Sequence, residues 1–465
     1  MFLGREEELE YLDSLFKEKK SKLAVLYGRR RCGKSYLLEH FCKGKNALFF
    51  EGLENEHTHI QLKNFLNDFS EQTDQGHLSK IKGADWDLVF NTLTKYLEAN
   101  SQKKIIIVFD EFQWMAAQKS GLVSLFKKFW DQKWKNLNVL WILCGSISSF
   151  MVKKVIRSKA LYGRVSSEIQ IKELPFKDVS KFLKNRSKEE AFEYYLLFGG
   201  IPKYWDELNK SQSFEQNISR LMFHKEGYLF NEFNKIFFSQ FRNSKYYEKI
   251  ATDLVAMPLS LDEISESLKL KSGGSLKSYL DNLEIAEFIQ SYRPYNKMNL
   301  DRLKKYRTCD PFIRSYLKFV RPHLVTIKNK NFSKKLPDYF VKSWDVWRGL
   351  AFENFCLKNA IMLSRKMGFE DYVESFGPYF LRGQNGFQID LVYMRSDKTI
   401  TVCEIKNHSK PIGVEIISSV NQKLNKFKIP RGFTLEKALV SVHGVTKSLI
   451  QAEYFDHILT LKDLE

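Results

Sequence analysis

The N-terminal third of the chain alternates largely apolar runs with amphipathic segments. The runs at residues 22–27, 105–109 and 138–144 are long and apolar enough for strands buried on both faces, which is typical of parallel sheets. The first run leads, after a loop, into a segment with Leu37 and Phe41 on one helical face. This pattern predicts an α/β domain in which helices cover a parallel sheet.

The middle of the chain has a different pattern, in which helices precede a strand pair. Residues 260–270 and 275–289 carry leucine and isoleucine at helical spacing, and a breaker at 271–274 separates them. Residues 287–295 and 303–312 then suit the two strands of a hairpin. This order indicates a winged helix, a relative of the helix-turn-helix.

The outward positions of the second of these helices are candidates for contact with DNA. In helix-turn-helix proteins the corresponding helix enters the major groove. Such modules also serve as spacers or as platforms for protein contact, and the outward acid Glu284 suits that alternative, so both interpretations stay open. The candidate positions are Ser275, Lys277, Ser278, Asp281 and Asn282.

From about Asp345 the pattern becomes helix, strands, helix and strands again. Residues 387–394 and 399–407 are two strand-like runs joined by a turn at 395–398, which predicts a hairpin. Residues two apart on a strand project to the same face. We therefore expect this hairpin to carry polar side chains on one face of a second, C-terminal α/β domain.

Composition narrows the functional classes. The chain has 465 residues, enough for roughly three domains, and its 43% hydrophobic content is ordinary for a folded protein. Its apolar runs fall well short of the roughly 20 residues that span a bilayer, and its six cysteines are scattered singly. We therefore expect a cytoplasmic protein that does not enter a membrane and has no structural zinc site.

The charge balance points to a polyanionic partner. Lysine and arginine outnumber the acidic residues 74 to 55, which gives a formal net charge of +19. DNA is the partner we expect on this basis, and the alternative is a basic protein that binds no particular partner. A basic segment follows the candidate hairpin, and it suits either a solvated linker or a track for phosphates; its basic residues include Arg321, Lys328, Lys330, Lys334 and Lys335.

The loop after the first strand carries a phosphate-binding motif. Its spacing is Gly-x-x-x-x-Gly-Lys-Ser, with Gly28, Gly33, Lys34 and Ser35 at the defining positions. The glycines let successive backbone N–H groups turn toward one anion, and the following helix adds its positive dipole end. Lys34 can reach the β- and γ-phosphates of ATP, and Ser35 can ligate Mg²⁺.

Acidic and hydroxyl residues at two further strand ends extend this site. Asp110 and Glu111 follow the second apolar strand, at the edge where parallel strands present ligand-binding groups. Asp110 is expected to hold Mg²⁺ and Glu111 to polarise the attacking water. Ser146 follows the third strand, where it suits a γ-phosphate sensor or simply a turn.

Together with the start of the chain, FLGREEELEYL, and the segment LYGRVSSEIQIKELPF, these motifs resemble the archaeal-type ATPases. Those are P-loop proteins near the AAA+ and STAND classes, and the resemblance covers roughly residues 1–240. It implies that Arg5 and Glu6 lie beside the adenine. It also implies that Arg164 is an arginine finger, acting in its own chain or from a neighbouring subunit of a homo-oligomer, and that Pro202 in FGGIPKYW packs near the base. From the residues alone, Arg164 equally suits a surface loop and Pro202 an ordinary helix stop.

The C-terminal hairpin places charged residues on one face. Asp390 ends one strand run, Glu404 and Lys406 end the next, and Glu353 sits among small and apolar neighbours on the preceding helix. Carboxylates gathered in this way suit a hard divalent cation, and the lysine suits charge stabilisation or orientation of water. An alternative is a surface ion pair between Glu404 and Lys406.

This order of a helix with Glu353, a strand with Asp390, a strand with Glu404-Ile405-Lys406 and a helix with Gln422 resembles the PD-(D/E)xK nuclease-like fold. Chains that are similar to archaeal-type ATPases often end in such a domain. The resemblance implies Glu353, Asp390 and Glu404 as metal ligands and Glu404 and Lys406 as catalytic residues. A degenerate domain that keeps the fold and no longer cuts is the alternative.

The resulting fold class is α/β: a P-loop NTPase sheet with a helical lid, a winged-helix domain and a restriction-endonuclease-like domain. The expected boundaries are 1–172 for the ATPase core, 173–240 for the lid, 241–310 for the winged-helix-like domain, 311–344 for a basic linker and 345–465 for the nuclease-like domain. We expect an ATPase, with ATP and Mg²⁺ as cofactors, that couples nucleotide state to a DNA-binding, nuclease-like module. A STAND-like regulatory ATPase with an inactive nuclease-like domain is the alternative.

Overall fold

The computed structural model describes residues 2–116, 120–146, 151–241, 244–270, 273–293, 304–332, 334–381 and 386–465. The chain divides into two units. The first comprises Met1–Leu174 with Ile201–Lys203, and the second comprises Pro175–Gly200 with Tyr204–Glu465. The expected boundary between ATPase core and lid lies close to the first division point.

A five-stranded parallel sheet forms the centre of the first unit, in the order β2-β3-β4-β1-β5. The strands are β1 Lys22–Gly28, β2 Ala47–Glu51, β3 Ile105–Asp110, β4 Val139–Ser146 and β5 Ser167–Ile171. Every residue of β4 is buried, because this strand lies between β1 and β3 with helices on both faces. The predicted parallel sheet is confirmed.

Helices flank this sheet, and one face holds a large aromatic core. The helices are α1 Glu6–Lys17, α2 Lys34–Cys42, α3 Thr58–Thr73, α4 Trp86–Ala99, α5 Phe112–Met115 and α6 Leu122–Gln132. Phe50 stacks on Phe65 at 3.8 Å between ring centroids, and Trp134 stacks on Trp141 at 4.1 Å. Burying such rings stabilises the sheet through their large apolar area and favourable ring geometry.

The second unit begins with a group of helices. They are α7 Phe176–Val179, α8 Lys188–Phe198, α9 Pro202–Asp206, α10 Phe214–Met222 and α11 Tyr228–Gln240, of which α9 begins in the first unit. The helix α10 starts with a capping box in which Ser213 and Gln216 satisfy each other's backbone N–H groups. These helices occupy the range for which the sequence predicted a lid.

Three helices and a small antiparallel sheet follow. The helices are α12 Ser244–Ala256, α13 Leu261–Leu268 and α14 Gly274–Ile285. The strands are β6 Leu259–Ser260, β7 Ile289–Tyr292 and β8 Lys305–Thr308, in the order β6-β8-β7. The predicted strand pair is therefore present as β7 and β8, and the turn between them lies outside the described residues.

The sequence predicted a basic linker at residues 311–344, and the structure instead has helical segments there. They are α15 Pro311–Ser315, a π-helical turn at Tyr316–Val320, α16 Leu324–Lys330 and the start of α17 Asp338–Lys358. Phe312, Tyr316 and Phe319 of this range are buried. These buried apolar residues lie between the lysines and arginines, so this segment packs in the core. The charge pattern alone does not indicate this.

The last part of the chain is built on a mixed five-stranded sheet in the order β13-β12-β11-β10-β9. After α18 Ala360–Lys366, its strands are β9 Val373–Leu381, β10 Phe387–Arg395, β11 Thr399–Lys406, β12 Thr434–Ser441 and β13 His457–Thr460. The remaining helices are α19 Ile416–Leu424 and α20 Lys447–Gln451. The strands β9, β10 and β11 are antiparallel, whereas β11, β12 and β13 run parallel, and the predicted hairpin is β10–β11.

Within the described part of the chain, no helix is both long and apolar enough to cross a membrane.

Candidate functional site

The phosphate-binding loop connects β1 to α2. Gly33 caps α2 in the left-handed conformation at φ 82°, which glycine adopts without steric cost. Gly28 packs so closely on β5 that an added Cβ would lie 2.2 Å from the carbonyl oxygen of Ile171. Both glycines are therefore required by the backbone geometry of the loop.

Lys34 lies inside this loop. Its side chain is buried, and Nζ donates to the carbonyl oxygens of Gly28 at 3.2 Å and Arg29 at 3.0 Å. A buried ammonium needs such partners, because the charge is costly to remove from water. The position keeps the lysine at the centre of the loop, from where it can transfer its hydrogen bonds to phosphate oxygens.

Ser35 and Asp110 meet at the end of the sheet. Ser35 Oγ, at the start of α2, donates to Asp110 Oδ2 at 2.5 Å. A hydroxyl and a carboxylate oxygen side by side are the donor type that Mg²⁺ prefers. The two residues predicted to hold magnesium are thus brought together by β1, β3 and α2, and their oxygens fit that ion.

Glu111 sits in a strained turn directly after β3. Its φ of 48° is left-handed, which is uncommon for a residue with a side chain. Its backbone N–H donates to Asp110 Oδ1 at 2.8 Å, while Ser146 Oγ lies 3.3 Å from Glu111 Oε1. The residue after β3 and the last residue of β4 are therefore in contact at this edge.

Gln113 is a member of this group that the sequence analysis missed. Its Nε2 donates to Glu111 Oε2, and an added Cβ on Gly145 would lie 2.2 Å from Gln113 Oε1. The only sequence signal is a polar residue two positions after the acidic pair, inside an otherwise apolar turn. Gln113 and Ser146 hold the Glu111 carboxylate from two sides.

A third carboxylate lies on the neighbouring strand. Glu51 ends β2 and is paired in register with Asp110. Burial, followed by the negative charges of Asp110 and Glu111, raises the pKa of Glu51. The edge of the sheet is thus strongly negative, which favours a cation beside the phosphate loop.

Arg5 connects the start of the chain to the phosphate loop. Its buried guanidinium donates to the carbonyl oxygens of Cys32 at 3.1 Å and Lys172 at 2.5 Å, and pairs with Glu8 at 2.9 Å. Arg5 itself adopts a left-handed φ of 73° immediately before α1. The residue therefore braces the loop, and the adenine-side role of Arg5 and Glu6 stays a prediction.

Arg164 is paired within its own chain. Its Nε and Nη2 donate to the two carboxylate oxygens of Asp131 at 2.7 and 2.8 Å. This bidentate pair is the strong form of an arginine–carboxylate contact. The arginine-finger role stays a prediction, and it requires Arg164 to leave Asp131. Pro202 begins α9, and its contact with a base likewise stays a prediction.

Of the positions on α14 predicted to face DNA, one is engaged inside the protein. Asn282 Nδ2 donates to the hydroxyl of Tyr247 at 2.8 Å. Ser275, Lys277 and Asp281 are exposed, while Ser278 is half-buried. The helix therefore presents three of the five predicted positions openly to solvent.

The C-terminal sheet brings the second predicted group together. Leu391 of β10 pairs with Cys403 of β11, which sets Asp390 beside Glu404. Asp390 Oδ2 accepts from the backbone N–H of Ile405 at 2.9 Å. Burial and then the Glu404 charge raise the pKa of Asp390, against the opposing effect of the Ile405 hydrogen bond.

Glu404 is buried and is held by two lysines. Lys406 Nζ lies 2.7 Å from Glu404 Oε1, and Lys423 Nζ of α19 lies 2.8 and 2.7 Å from Oε1 and Oε2. Although burial alone lowers it, the neighbouring carboxylates, Glu404 first, raise the pKa of Lys406. Gln422 lies on this helix as predicted and is exposed, whereas its neighbour Lys423 contacts Glu404.

Glu353 of α17 belongs to the same charged group. Burial, and then the charge of Asp390, raise the pKa of Glu353 to about 7. Even so, the described residues contain no group of three or more His, Cys, Asp or Glu side chains arranged to hold a metal ion. With both Glu404 oxygens engaged by ammonium groups, this centre as folded does not fit a bound divalent cation.

Similarity to known proteins adds to what the geometry of the site indicates. Residues 2–208 match the model of an ATPase domain found predominantly in Archaea. An ATP-binding protein of Methanocaldococcus jannaschii is 49% identical over 45 residues, which are 10% of this chain and 76% of that protein. The chain belongs to the archaeal-type ATPase family. Its predicted phosphate, magnesium and water-orienting residues all lie within the matched range.

Two further similarities cover most of the chain. An uncharacterised protein of M. jannaschii is 28% identical over 416 residues, 87% of each chain. The structure of a Walker-type ATPase of Pyrococcus abyssi, 20% identical, aligns with a TM-score of 0.53 over 68% of this chain and 96% of that one. That similarity shows the fold of the archaeal-type ATPase.

The C-terminal part matches a second family model. Residues 316–422 correspond to a domain described as archaeal and bacterial proteins of unknown function. Glu353, Asp390, Glu404 and Lys406 fall within this range, and Lys423 lies immediately after it. The charged centre is thus largely contained in a recognised domain whose activity its description does not state.

Proposed function

We propose that this archaeal-type ATPase hydrolyses ATP and uses its nucleotide state to control a DNA-directed, nuclease-like C-terminal module. The observation that carries the ATPase part is the meeting of Ser35, Asp110, Glu111 and Ser146 at one sheet edge beside Lys34. These are the group types that phosphoryl transfer to water requires in these relative positions.

The residues divide the work of hydrolysis among them. Lys34 exchanges its loop carbonyls for β- and γ-phosphate oxygens and offsets their charge. Ser35 and Asp110 would hold Mg²⁺, and the bound ion would neutralise further phosphate charge. Glu111 orients the attacking water, Ser146 supports the Glu111 carboxylate, and Arg164 of a neighbouring subunit supplies positive charge to the transition state.

The second unit supports a DNA-directed role. Helices α12 to α14 with the sheet β6-β8-β7 have the element order of a winged helix. Helix α17 followed by β9 to β11, α19 and β12 has the order expected for a PD-(D/E)xK nuclease-like domain. The net charge of +19 favours a polyanion as the partner.

A second candidate function is supported by the lysines around Glu404. A STAND-like regulatory ATPase would use its C-terminal domain for protein or DNA contact without cutting. A carboxylate whose two oxygens are both engaged by ammonium groups is what such an inactive domain would be expected to contain.

ATP hydrolysis tests the first part of the proposal. We expect Lys34→Ala to lower turnover by about 100-fold or more, because it removes a charged donor from the transition state. Arg30→Ala is the matched control, since Arg30 lies in the same loop and pairs with the exposed Glu54. Equal turnover in wild type and Lys34→Ala would exclude this site as the ATPase centre.

DNA binding and cutting separate the two candidate functions. Plasmid and linear DNA are incubated with Mg²⁺ or Mn²⁺ and with wild type, Glu404→Ala or Lys406→Ala. Cutting that both substitutions abolish supports the nuclease, whereas binding without cutting supports the regulatory protein. Binding affinity should fall as salt rises from about 50 to 200 mM, because counterions are released from the phosphates.

A further inference from the structure

Two cations share one buried carboxylate in the C-terminal domain. Lys406 approaches Glu404 from the same strand, and Lys423 approaches from α19 and reaches both carboxylate oxygens. Lys406 is the lysine of the Glu404-Ile405-Lys406 motif that resembles nucleases. Lys423 adds a second ammonium group. It lies at the two Glu404 oxygens, where a cation bound by this carboxylate would lie.

Two lysines offset the charges of the two hairpin carboxylates at this centre. Asp390 and Glu404 are both buried, and Lys406 and Lys423 offset their two charges. A divalent cation needs free carboxylate oxygens at short distance. It would also meet two ammonium groups a few ångströms away, in surroundings where repulsion is only weakly screened.

The packing beside Glu404 leaves little alternative space. A cavity of about 10 Å³ borders Glu404 and Lys423, with Val402, Val420 and Leu424 among its walls. That volume is about enough for one water molecule. A hydrated cation therefore does not fit in this cavity, on the α19 side of Glu404, unless Lys423 moves away.

We propose that Lys423 is an internal counter-ion that closes this centre to divalent cations, so that cation binding at Asp390 and Glu404 requires Lys423 to be displaced. The proposal deepens the nuclease-like assignment and rests on it for the identity of the site. A phosphate group would offer Lys423 another anionic partner.

Manganese binding to the full-length chain tests this directly. Titration calorimetry is done without nucleotide, and every protein carries Asp110→Asn, which weakens Mn²⁺ binding at the N-terminal site equally in all of them. We expect Lys423→Met to bind Mn²⁺ at least about ten-fold more tightly than the parent, because the competing charge is gone while the apolar stem remains. Lys423→Arg keeps the charge and should bind as weakly as the parent.

Two further variants complete the design. Adding Asp390→Asn to Lys423→Met should abolish the gain, which locates the ion at this centre. Lys423→Gln replaces the methionine variant if circular dichroism shows the latter to be unfolded. Mn²⁺ binding by the uncharged variant that is no tighter than the parent's would overturn the proposal. A failure to cut DNA by any variant would instead count against the nuclease and leave the manganese result unaffected.

Discussion

Ser146 Oγ lies 3.3 Å from Glu111 Oε1, so the end of β4 touches the carboxylate that follows β3. Because β4 lies between the phosphate-loop strand and β3, this contact connects the residue predicted to orient water with the residue predicted to sense the γ-phosphate. Gln113 holds the other side of the carboxylate. The position of Glu111 is therefore set by side chains as well as by its own left-handed turn.

Removing the Ser146 hydroxyl should slow hydrolysis without weakening ATP binding. We expect Ser146→Ala to lower kcat by about 10- to 100-fold, because Glu111 loses a hydrogen bond that holds it in place for proton and water handling. ATPase assays and a fluorescent-nucleotide titration measure the two quantities. Ser79→Ala removes an exposed hydroxyl from a residue far from Ser146 in the sequence. It should change neither kcat nor nucleotide affinity. Loss of nucleotide affinity equal to the loss of kcat would contradict this role.

The ion pair between Arg164 and Asp131 gives a paired test of the arginine finger. We expect Arg164→Ala to lower ATP turnover by at least about 10-fold, since an arginine finger contributes strongly to transition-state stabilisation. Asp131→Ala breaks the same ion pair and leaves the arginine in place, so turnover should be kept or raised. If both variants lose turnover equally, the pair has a structural role and Arg164 is not a finger.

Gly28 should not tolerate a side chain. An added Cβ would lie 2.2 Å from the Ile171 carbonyl oxygen, so Gly28→Ala forces β1 and β5 apart. We expect a loss of about 1–3 kcal/mol in the free energy of unfolding, together with weaker ATP binding. Gly76→Ala is the control, because nothing lies within 4 Å of its added Cβ. Equal stability of the two variants, measured by urea denaturation, would show that the strands can separate without cost.

The raised pKa of Asp68 predicts that the free energy of unfolding depends on pH. Burial raises the pKa of this half-buried residue from 3.8 to about 6, against the opposing effect of a hydrogen bond from the Glu51 backbone and with a smaller contribution from nearby carboxylates. The folded state therefore binds the proton more tightly than the unfolded state, so this contribution to stability is complete below about pH 4 and is lost as the pH rises through 6. Asp68→Asn removes the penalty and should raise the melting temperature at pH 8.

The same variant should come nearest to the wild-type melting temperature close to pH 4, where Asp68 is protonated in the folded state and about half protonated in the unfolded state. Its hydrogen bond from Asn64 can be kept by the asparagine oxygen. Solvent exposure limits the gain at pH 8 to about 1 kcal/mol. Thermal unfolding at pH 4, 6 and 8 measures the trend, and a gain that does not grow with pH would contradict it.

Much of the nucleotide site could be predicted from local sequence. Lys34 and Ser35 are fixed by the glycine-containing loop after β1 and Asp110 and Glu111 by the end of β3, and parallel strands bring their carboxyl ends to one edge. The hairpin residues Asp390 and Glu404 were predictable for a similar reason, since a short turn sets the register between two antiparallel strands.

Several side-chain contacts were not predictable in this way. Gln113 contacts Glu111 because Glu111 adopts a left-handed turn, which no residue type there requires. Arg164 pairs with Asp131, which lies 33 positions earlier in the chain. Lys423 faces Glu404 while Gln422 faces solvent, because burial of Val420 fixes the rotation of α19 against the sheet.

By itself the sequence determined the strand ends, the phosphate loop and the pairing of the acidic hairpin, because each depends on neighbouring residues and on backbone geometry. Only the tertiary structure decided which side chains oppose those acids. That choice depends on how whole helices rotate as they bury their apolar faces, and the rotation is the joint result of many packing contacts across the fold.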